Sequence, residues 1–327
     1  MSPRTPAGAD WSGAHSALAP MGPQAARVED LWQFLWIVSL VVFVLVAGAA
    51  LVATFKRHEP APDDPSLVRG ASRRTYAIIG ASALVSIGII FVFLGVDLAA
   101  GRGLTVAPPS PLLIEVTAKQ WWWQVDYPAR PASLHVTTAN EIHVPVGRPV
   151  VVELKSSDVI HSFWPPSLSG KRDLIPGQET SLWFQADTPG VYRGLCAEFC
   201  GHGHAKMAFL VIAEPADSFA AWLAAQRDSA RTPTDSTALR GRDVFLRGTC
   251  VMCHSIVGTP AGSRVGPDLT HLASRRTIAA GSLPNDRGRL TAWIVDPQRI
   301  KPGALMPPNP LPPADLHALV TYLESLE

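Results

Sequence analysis

The stretch Cys196-Ala-Glu-Phe-Cys200-Gly-His-Gly-His204-Ala-Lys-Met207 concentrates soft ligands. Its twelve residues offer two thiols, at least one imidazole and a thioether. Thiolate and thioether favour copper among the common biological metals. A further histidine, His161, lies thirty-five residues upstream of Cys196 in Asp158-Val-Ile-His-Ser-Phe163, a segment rich in β-formers. A blue-copper site takes one Cys, two His and a weak axial Met. This set holds one thiolate more, which suggests two copper ions sharing both sulfurs.

A second constellation, Cys250-Val-Met-Cys253-His254, fits the C-x-x-C-H attachment pattern of c-type haem. The two thiols add across the haem vinyl groups, and the adjacent His becomes the proximal iron ligand. A closed zinc site would need a second ligand pair nearby, and a thioredoxin-like motif would need a βαβ setting. The sequence offers neither. The sixth ligand is expected to be Met306, the only Met after Met252. Met252 sits inside the attachment loop and cannot reach the distal face. His271 and His317 are the competing candidates. A distal Met raises the haem potential, which suits an electron carrier. Four cysteines in an oxidising compartment would by themselves suggest disulfides. Both pairs, however, lie inside richer ligand patterns, and neither would close a loop long enough to stabilise a fold much.

These residues need elements to hold them. The chain has 327 residues and a net charge of +1, which points away from a nucleic-acid partner. Its hydrophobic excess is concentrated in Leu31–Phe55 and Tyr76–Val96, both free of charge. Each run is long enough to cross roughly 30 Å of hydrocarbon as a helix. Trp32 and Trp36 stand where interfacial aromatics are expected. A two-span transmembrane helical hairpin over residues 31–98 follows. Lys56, Arg57, Arg69, Arg73 and Arg74 lie between the spans, against Arg4 and Arg27 before them and Arg102 after. The positive-inside rule then puts the 56–75 loop in the cytoplasm. The N-terminal tail and everything after about residue 98 lie on the periplasmic side of the cell (inner) membrane. Residues 1–30 lack a basic start followed by an apolar stretch, so the first span is read as an uncleaved insertion signal. That Ala-, Pro- and Gly-rich tail is expected to be flexible.

Residues 108–214 read as β. Leu112–Ala118, Trp121–Tyr127, Val150–Lys155 and Lys206–Ala213 are β-branched or aromatic runs separated by turn signals such as Pro176-Gly177. The expected architecture is an all-β sandwich with Cys196–Met207 as the loop between its last two strands. A short helix leads out over Glu214–Ala225. Residues 226–237 form a polar linker, and residues 238–327 read as all-α, with helices over Ala238–Arg247, Leu290–Val295 and Ala314–Leu326.

Two spans, a β domain with His161…Cys196-x-Glu198-x-Cys200-x3-His204-x2-Met207, and Trp121 in Gln120-Trp-Trp-Trp123 resemble subunit II of a cytochrome c oxidase. The appended Cys-x-x-Cys-His domain is similar to the caa3 type, in which subunit II carries its own cytochrome c. The resemblance covers residues 28–327. It implies a cupredoxin fold for the β domain, a binuclear CuA centre, and a class I cytochrome c domain with one covalent haem c. It implies that Cys196 and Cys200 bridge both coppers. His161 and Met207 would complete one copper, and His204 with the backbone carbonyl of Glu198 the other. The Glu198 carboxylate would reach a Mg2+ at the boundary with subunit I. The indole of Trp121 would be the exposed point where electrons reach the copper, facing the tethered cytochrome here, while Trp122 and Trp123 pack. The linker would keep the donor haem at an effective concentration on the order of mM. His202 reads as a solvent-facing loop residue, and Asp158 as an ordering acceptor near His161.

The implied function is transfer of electrons from an external donor, a soluble cytochrome or a quinol-oxidising complex, via haem c and CuA to subunit I. There O2 is reduced to water with proton translocation. The implied partners are subunit I, further subunits such as III, and membrane lipid. Many members carry a carboxylate at the start of the second span. Ser72-Arg-Arg-Thr-Tyr76 has none, so no proton-channel role falls to this chain. The alternatives are the electron-input subunit of a nitric oxide reductase and a free-standing membrane cytochrome. The copper loop opposes the latter and excludes a quinol oxidase subunit.

Overall fold

The two apolar runs form α1 (Pro23–Phe55) and α2 (Arg73–Thr105), of 33 residues each. At 1.5 Å per residue each is about 50 Å long, well over the hydrocarbon thickness, so the outer turns extend beyond it. Ser72 starts α2 by accepting the Thr75 amide through its hydroxyl. The first turn of α2 holds no acidic residue. Phe34 meets Phe93 edge-on at 5.6 Å, and the Arg27 guanidinium donates to the Gly103 carbonyl. The two helices therefore pair with each other. Their outer side chains, such as Leu45 and Phe91, are exposed, as residues facing lipid would be. This computed structural model describes residues 15–56 and 72–327; Arg4, Arg57 and Arg69 lie outside the described residues.

A second compact unit comprises residues 107–327 together with the segment that precedes Ala26. Its β part has ten strands: β1 (Leu112–Lys119), β2 (Trp122–Tyr127), β3 (Val136–Ala139), β4 (Glu141–Pro145), β5 (Val150–Ser156), β6 (His161–Trp164), β7 (Arg172–Leu174), β8 (Thr180–Phe184), β9 (Gly190–Cys196) and β10 (Ala208–Glu214). They form two five-stranded sheets, ordered β3-β2-β1-β5-β8 and β4-β10-β9-β6-β7. Alternation drives the packing. Ile114, Val116 and Ala118 of β1 are buried on one face, as are Val150, Val152 and Leu154 of the parallel neighbour β5. Trp123 closes the interior between the sheets, edge-on to Phe163 at 5.9 Å and to Phe209 at 5.3 Å.

The described part of the tail, from residue 15, departs from the expected flexibility. Met21 donates its amide to the Ser167 carbonyl at 2.7 Å and accepts the Asp187 amide at 2.9 Å, while Ser167 donates its hydroxyl to the Ser16 carbonyl. Pro23, a favourable first helical residue, already starts α1. Backbone pairing with the sandwich thus orders the later part of the 1–30 segment; residues 1–14 lie outside the described residues.

After β10 comes α3 (Ala216–Ala225), then the C-terminal part: α4 (Ser236–Arg247), β11 (Thr277–Ile278), β12 (Leu283–Pro284), α5 (Arg287–Val295), α6 (Pro297–Ile300) and α7 (Pro313–Leu323). Asp235 caps α4 by accepting the Ala238 amide at 2.8 Å. Phe245 of α4 meets Tyr322 of α7 at 6.2 Å in the core of this part. The polar 226–237 segment is strapped down. Arg227 donates to the Leu134 carbonyl, His271 contacts the Asp228 carbonyl, and Ala230 donates to the Val257 carbonyl.

Candidate metal centres

β9 ends on Cys196 and β10 begins at Ala208, so the strands fix both ends of the twelve-residue loop. The Cys196 amide donates to the Met207 carbonyl at 2.9 Å, closing the loop at its neck. The Ala197 amide donates to the Ser162 carbonyl at 2.9 Å, tying the loop to β6. β6 pairs with β9 in the register Phe163↔Cys196 and carries His161 at its start. The thirty-five positions from His161 to Cys196 vanish in space: His161 Nδ1 lies 3.8 Å from Cys196 Sγ.

The remaining donors surround the same point. Cys196 Sγ and Cys200 Sγ are 3.7 Å apart, well beyond the roughly 2.05 Å of a disulfide. Cys200 Sγ lies 3.7 Å from His204 Nδ1 and 3.9 Å from Met207 Sδ. The Glu198 carbonyl oxygen is 3.2 Å from Cys196 Sγ. His161, Cys196 and Cys200 are buried and could share one ion. Two thiols, two imidazole nitrogens, a thioether and a carbonyl in this arrangement fit a thiophilic metal such as copper. The structure thus brings together all six residues that the sequence pattern singles out around the copper loop. The Glu198 carboxylate, half-buried beside them, has no hydrogen-bond partner among the described residues. His202 is exposed, as expected.

Proton energetics agree with that chemistry. A hydrogen bond from Cys200 pulls the Cys196 thiol well below the usual range despite burial, helped by His161 and the Ser162 backbone. Cys200 is pushed up because it holds the proton the two sulfurs share. A bound cation displaces such protons. Burial disfavours a proton on His161, yet hydrogen bonds to Cys196 and Asp158 outweigh it and raise its pKa.

Asp158 orders this side. One carboxylate oxygen is 2.7 Å from His161 Nε2, which leaves Nδ1 for the thiolates. The other accepts the Gln120 amide at 2.6 Å. Gln120 Nε2 and Trp121 Nε1 then both donate to the Cys200 carbonyl at 2.8 Å. Gly203 makes that approach possible, since a Cβ there would lie 2.4 Å from the indole. Trp123 packs, as expected; Trp122 lies under Lys119, whose Nζ is 4.9 Å from its ring. Trp121 is not exposed: it is 9% accessible, packed under Gly201 and Gly203 of the 196–207 loop and against the C-terminal part. A Cβ on Gly303 would lie 3.3 Å from the indole.

In the C-terminal part, α4 runs into a turn over Thr249–Met252 that presents Cys250, Cys253 and His254. His254 Nδ1 faces the Pro267 carbonyl at 2.7 Å, which frees Nε2 for a metal. Gly266 is required beneath it, because a Cβ would sit 2.8 Å from the imidazole. Burial keeps His254 below the ordinary histidine pKa, favouring the neutral, ligating form. Arg275, whose buried Nε has no partner among the described residues, adds to that lowering. Its Nη2 donates to the Asp268 carbonyl at 2.6 Å, and the free Nε is a donor that an anionic group such as a haem carboxylate would satisfy. Met306 is half-buried on a loop stapled by Gln298, which donates to the Ala304 and Met306 carbonyls at 2.7 and 3.0 Å. The competitors are occupied elsewhere. Both nitrogens of His271 face backbone carbonyls, of Glu327 and Asp228, and His317 faces Arg287 on the exposed side of α7. Gln120, Gly266 and Gln298 were not singled out from the sequence; only Gly266-Pro267 carried a signal, that of a turn.

The fold and donor sets define a membrane-anchored electron-transfer protein with a copper domain and a haem domain. Residues 129–214 match the family of the cytochrome c oxidase subunit II periplasmic domain, and residues 238–327 match the cytochrome c family. Cytochrome c oxidase subunit 2 of Alkalihalophilus pseudofirmus is 37% identical over 322 residues, covering 95% of this chain and 91% of that protein. Its counterpart in Bacillus sp. (strain PS3) is 34% identical over 231 residues, covering 67% of this chain and 63% of that protein. The crystal structure of the periplasmic domain of cytochrome oxidase subunit II from Bradyrhizobium japonicum aligns at 31% identity and a TM-score of 0.35. That alignment covers 37% of this chain and 97% of that one. The chain belongs to the cytochrome c oxidase subunit II family, in the caa3-type arrangement with a fused cytochrome c. It is therefore a component of a haem-copper oxidase and works with the other subunits of that complex.

Proposed function

We propose that this chain is the electron-input subunit of a respiratory haem-copper oxidase. Electrons from an external donor would pass by way of one covalent haem c and a binuclear CuA to subunit I, which reduces O2 to water with proton translocation. When bound, the iron and copper centres supply one-electron chemistry. The chain's residues supply the setting. Cys250 and Cys253 would attach the haem, and His254 and Met306 would hold its iron. Cys196 and Cys200, with His161, Met207, His204 and the Glu198 carbonyl, would hold the two coppers. The unpartnered Glu198 carboxylate is the candidate for a Mg2+ shared with subunit I.

The convergence of His161 with the 196–207 donors carries this reading. Buried, hydrogen-bonded and tied to two strands, these side chains have little room to move, which suits a centre that must change charge without rearranging. Phe199, 76% exposed beside them, offers an apolar contact for a membrane-embedded partner. The excess of basic residues between the spans supports placing both redox domains outside the cytoplasm. The 15–25 segment packs on the sandwich, which agrees with an even number of spans.

Metal and haem analysis of the full chain purified with its complex tests the proposal. Two coppers and one covalent haem are expected in this polypeptide. A single copper in a fully loaded sample would refute the binuclear centre, and consumption of nitric oxide in place of O2 by the complex would refute the oxidase assignment.

A further inference from the structure

The segment Arg275–Ser282, built around the β11–β12 hairpin, belongs to the cytochrome part through buried Ile278. Most of its polar groups are directed at the copper domain. The Glu141 carboxylate, at the start of β4 and only 2% accessible, accepts the Arg276 amide at 2.9 Å, the Thr277 amide at 2.8 Å and the Thr277 hydroxyl at 3.0 Å. Burying a carboxylate costs free energy unless it is fully hydrogen-bonded. Here all three donors come from the other domain.

The hairpin then turns through Ala279, Ala280 and Gly281, all left-handed with φ of 54, 58 and 69°. Alanine seldom adopts this conformation, and the surroundings must hold it there. The turn points successive carbonyls outward. That of Ala280 accepts the Ala208 amide at 3.0 Å, at the first residue of β10, and that of Gly281 accepts from Arg193 at 3.1 Å. Ser282 donates to the Lys206 carbonyl at 3.2 Å. The Ala279 carbonyl lies 3.4 Å from Lys301 Nζ, a buried amine that also donates to the Trp121 carbonyl at 2.5 Å. Each domain thus buries one ionisable group, Glu141 or Lys301, that is bonded to backbone of the other.

We propose that this hairpin is a clasp that fixes the cytochrome on the copper domain in one docked pose. In that pose Trp121 is enclosed between the Cys200 carbonyl and Gly303, so external donors reach the cytochrome part and not the indole. The statement about donors rests on the electron-input reading; the clasp itself does not.

Hydrogen exchange of the full chain, read by mass spectrometry, tests the clasp. Glu141→Ala should speed exchange in peptides covering 205–210 and 275–282 by about tenfold, as expected when hydrogen bonds to a charged acceptor are lost. Peptides from α4 and α7 should stay at the native rate. Ala280→Gly, which keeps the carbonyl and tolerates the positive φ, should leave all of these rates native. Native exchange at 205–210 in Glu141→Ala would overturn the proposal. So would faster exchange of α4 and α7, since the hairpin would then serve the cytochrome's own fold. Copper and haem contents measured on the same samples judge the electron-input reading separately.

Discussion

The copper and haem centres hold their donors in opposite ways. In the copper domain one twelve-residue loop and the neighbouring β6 supply every donor, and the donor atoms already touch one another. In the cytochrome part, His254, the Gly266-Pro267 turn and the Met306 loop are separate, and no hydrogen bond joins His254 to the Met306 loop among the described residues. The sandwich has its own aromatic core behind the copper loop. The candidate haem ligands of the cytochrome part sit on separate loops that a bound haem would join. Metal loss is therefore expected to be a local event in the first domain and a folding event in the second.

The largest effect should come from breaking haem attachment. In a Cys250→Ser, Cys253→Ser double variant, proteolysis should degrade residues 238–327 while the sandwich survives; survival of both domains would erase the contrast. Cys200→Ser should abolish copper binding yet leave the sandwich's stability within about 1 kcal/mol of that of the copper-free native protein, the scale of a modest change at one buried side chain. Asp158→Asn should weaken copper binding by about 10–100-fold, the range typical of losing a group that orients a ligand. Competition with a copper chelator measures it, and unchanged affinity would mean the β scaffold alone orients His161.

The smallest effect concerns pH. Burial lowers the Lys301 pKa from 10.5 to about 7, with Cys200 opposing the shift and Lys206 adding to it. Between those values the unfolded chain binds a proton that the native chain does not, so stability rises with pH across the window. Lys301→Met should flatten that rise. Thermal melts between pH 7 and 10 read it, and an unchanged slope would show that Lys301 keeps an ordinary pKa in the native protein.

The ligand loop was legible because soft donors at short spacing have few other uses, and the spans because lipid demands long uncharged runs. β1, β2, β5 and β10 showed in the sequence through alternating or β-branched stretches. Strands such as β3, β6 and β7, of three or four residues, are too short for alternation to appear. Gln298 and Gly266 act through one carbonyl and one missing Cβ, which leave no periodic trace. Part of the cover over Trp121 comes from Gly303, 182 positions away and in another domain, and its neighbours in sequence carry no sign of that.

The ordered tail has a consequence for how the protein is made. Ser16 and Ser167 are 151 positions apart, yet they are hydrogen-bonded. Synthesis runs from the N-terminus, so the tail emerges first and has no partner until both spans and half of the sandwich exist. Its docking is thus among the last steps of biogenesis, and it occurs only if tail and sandwich have been delivered to the same side of the membrane.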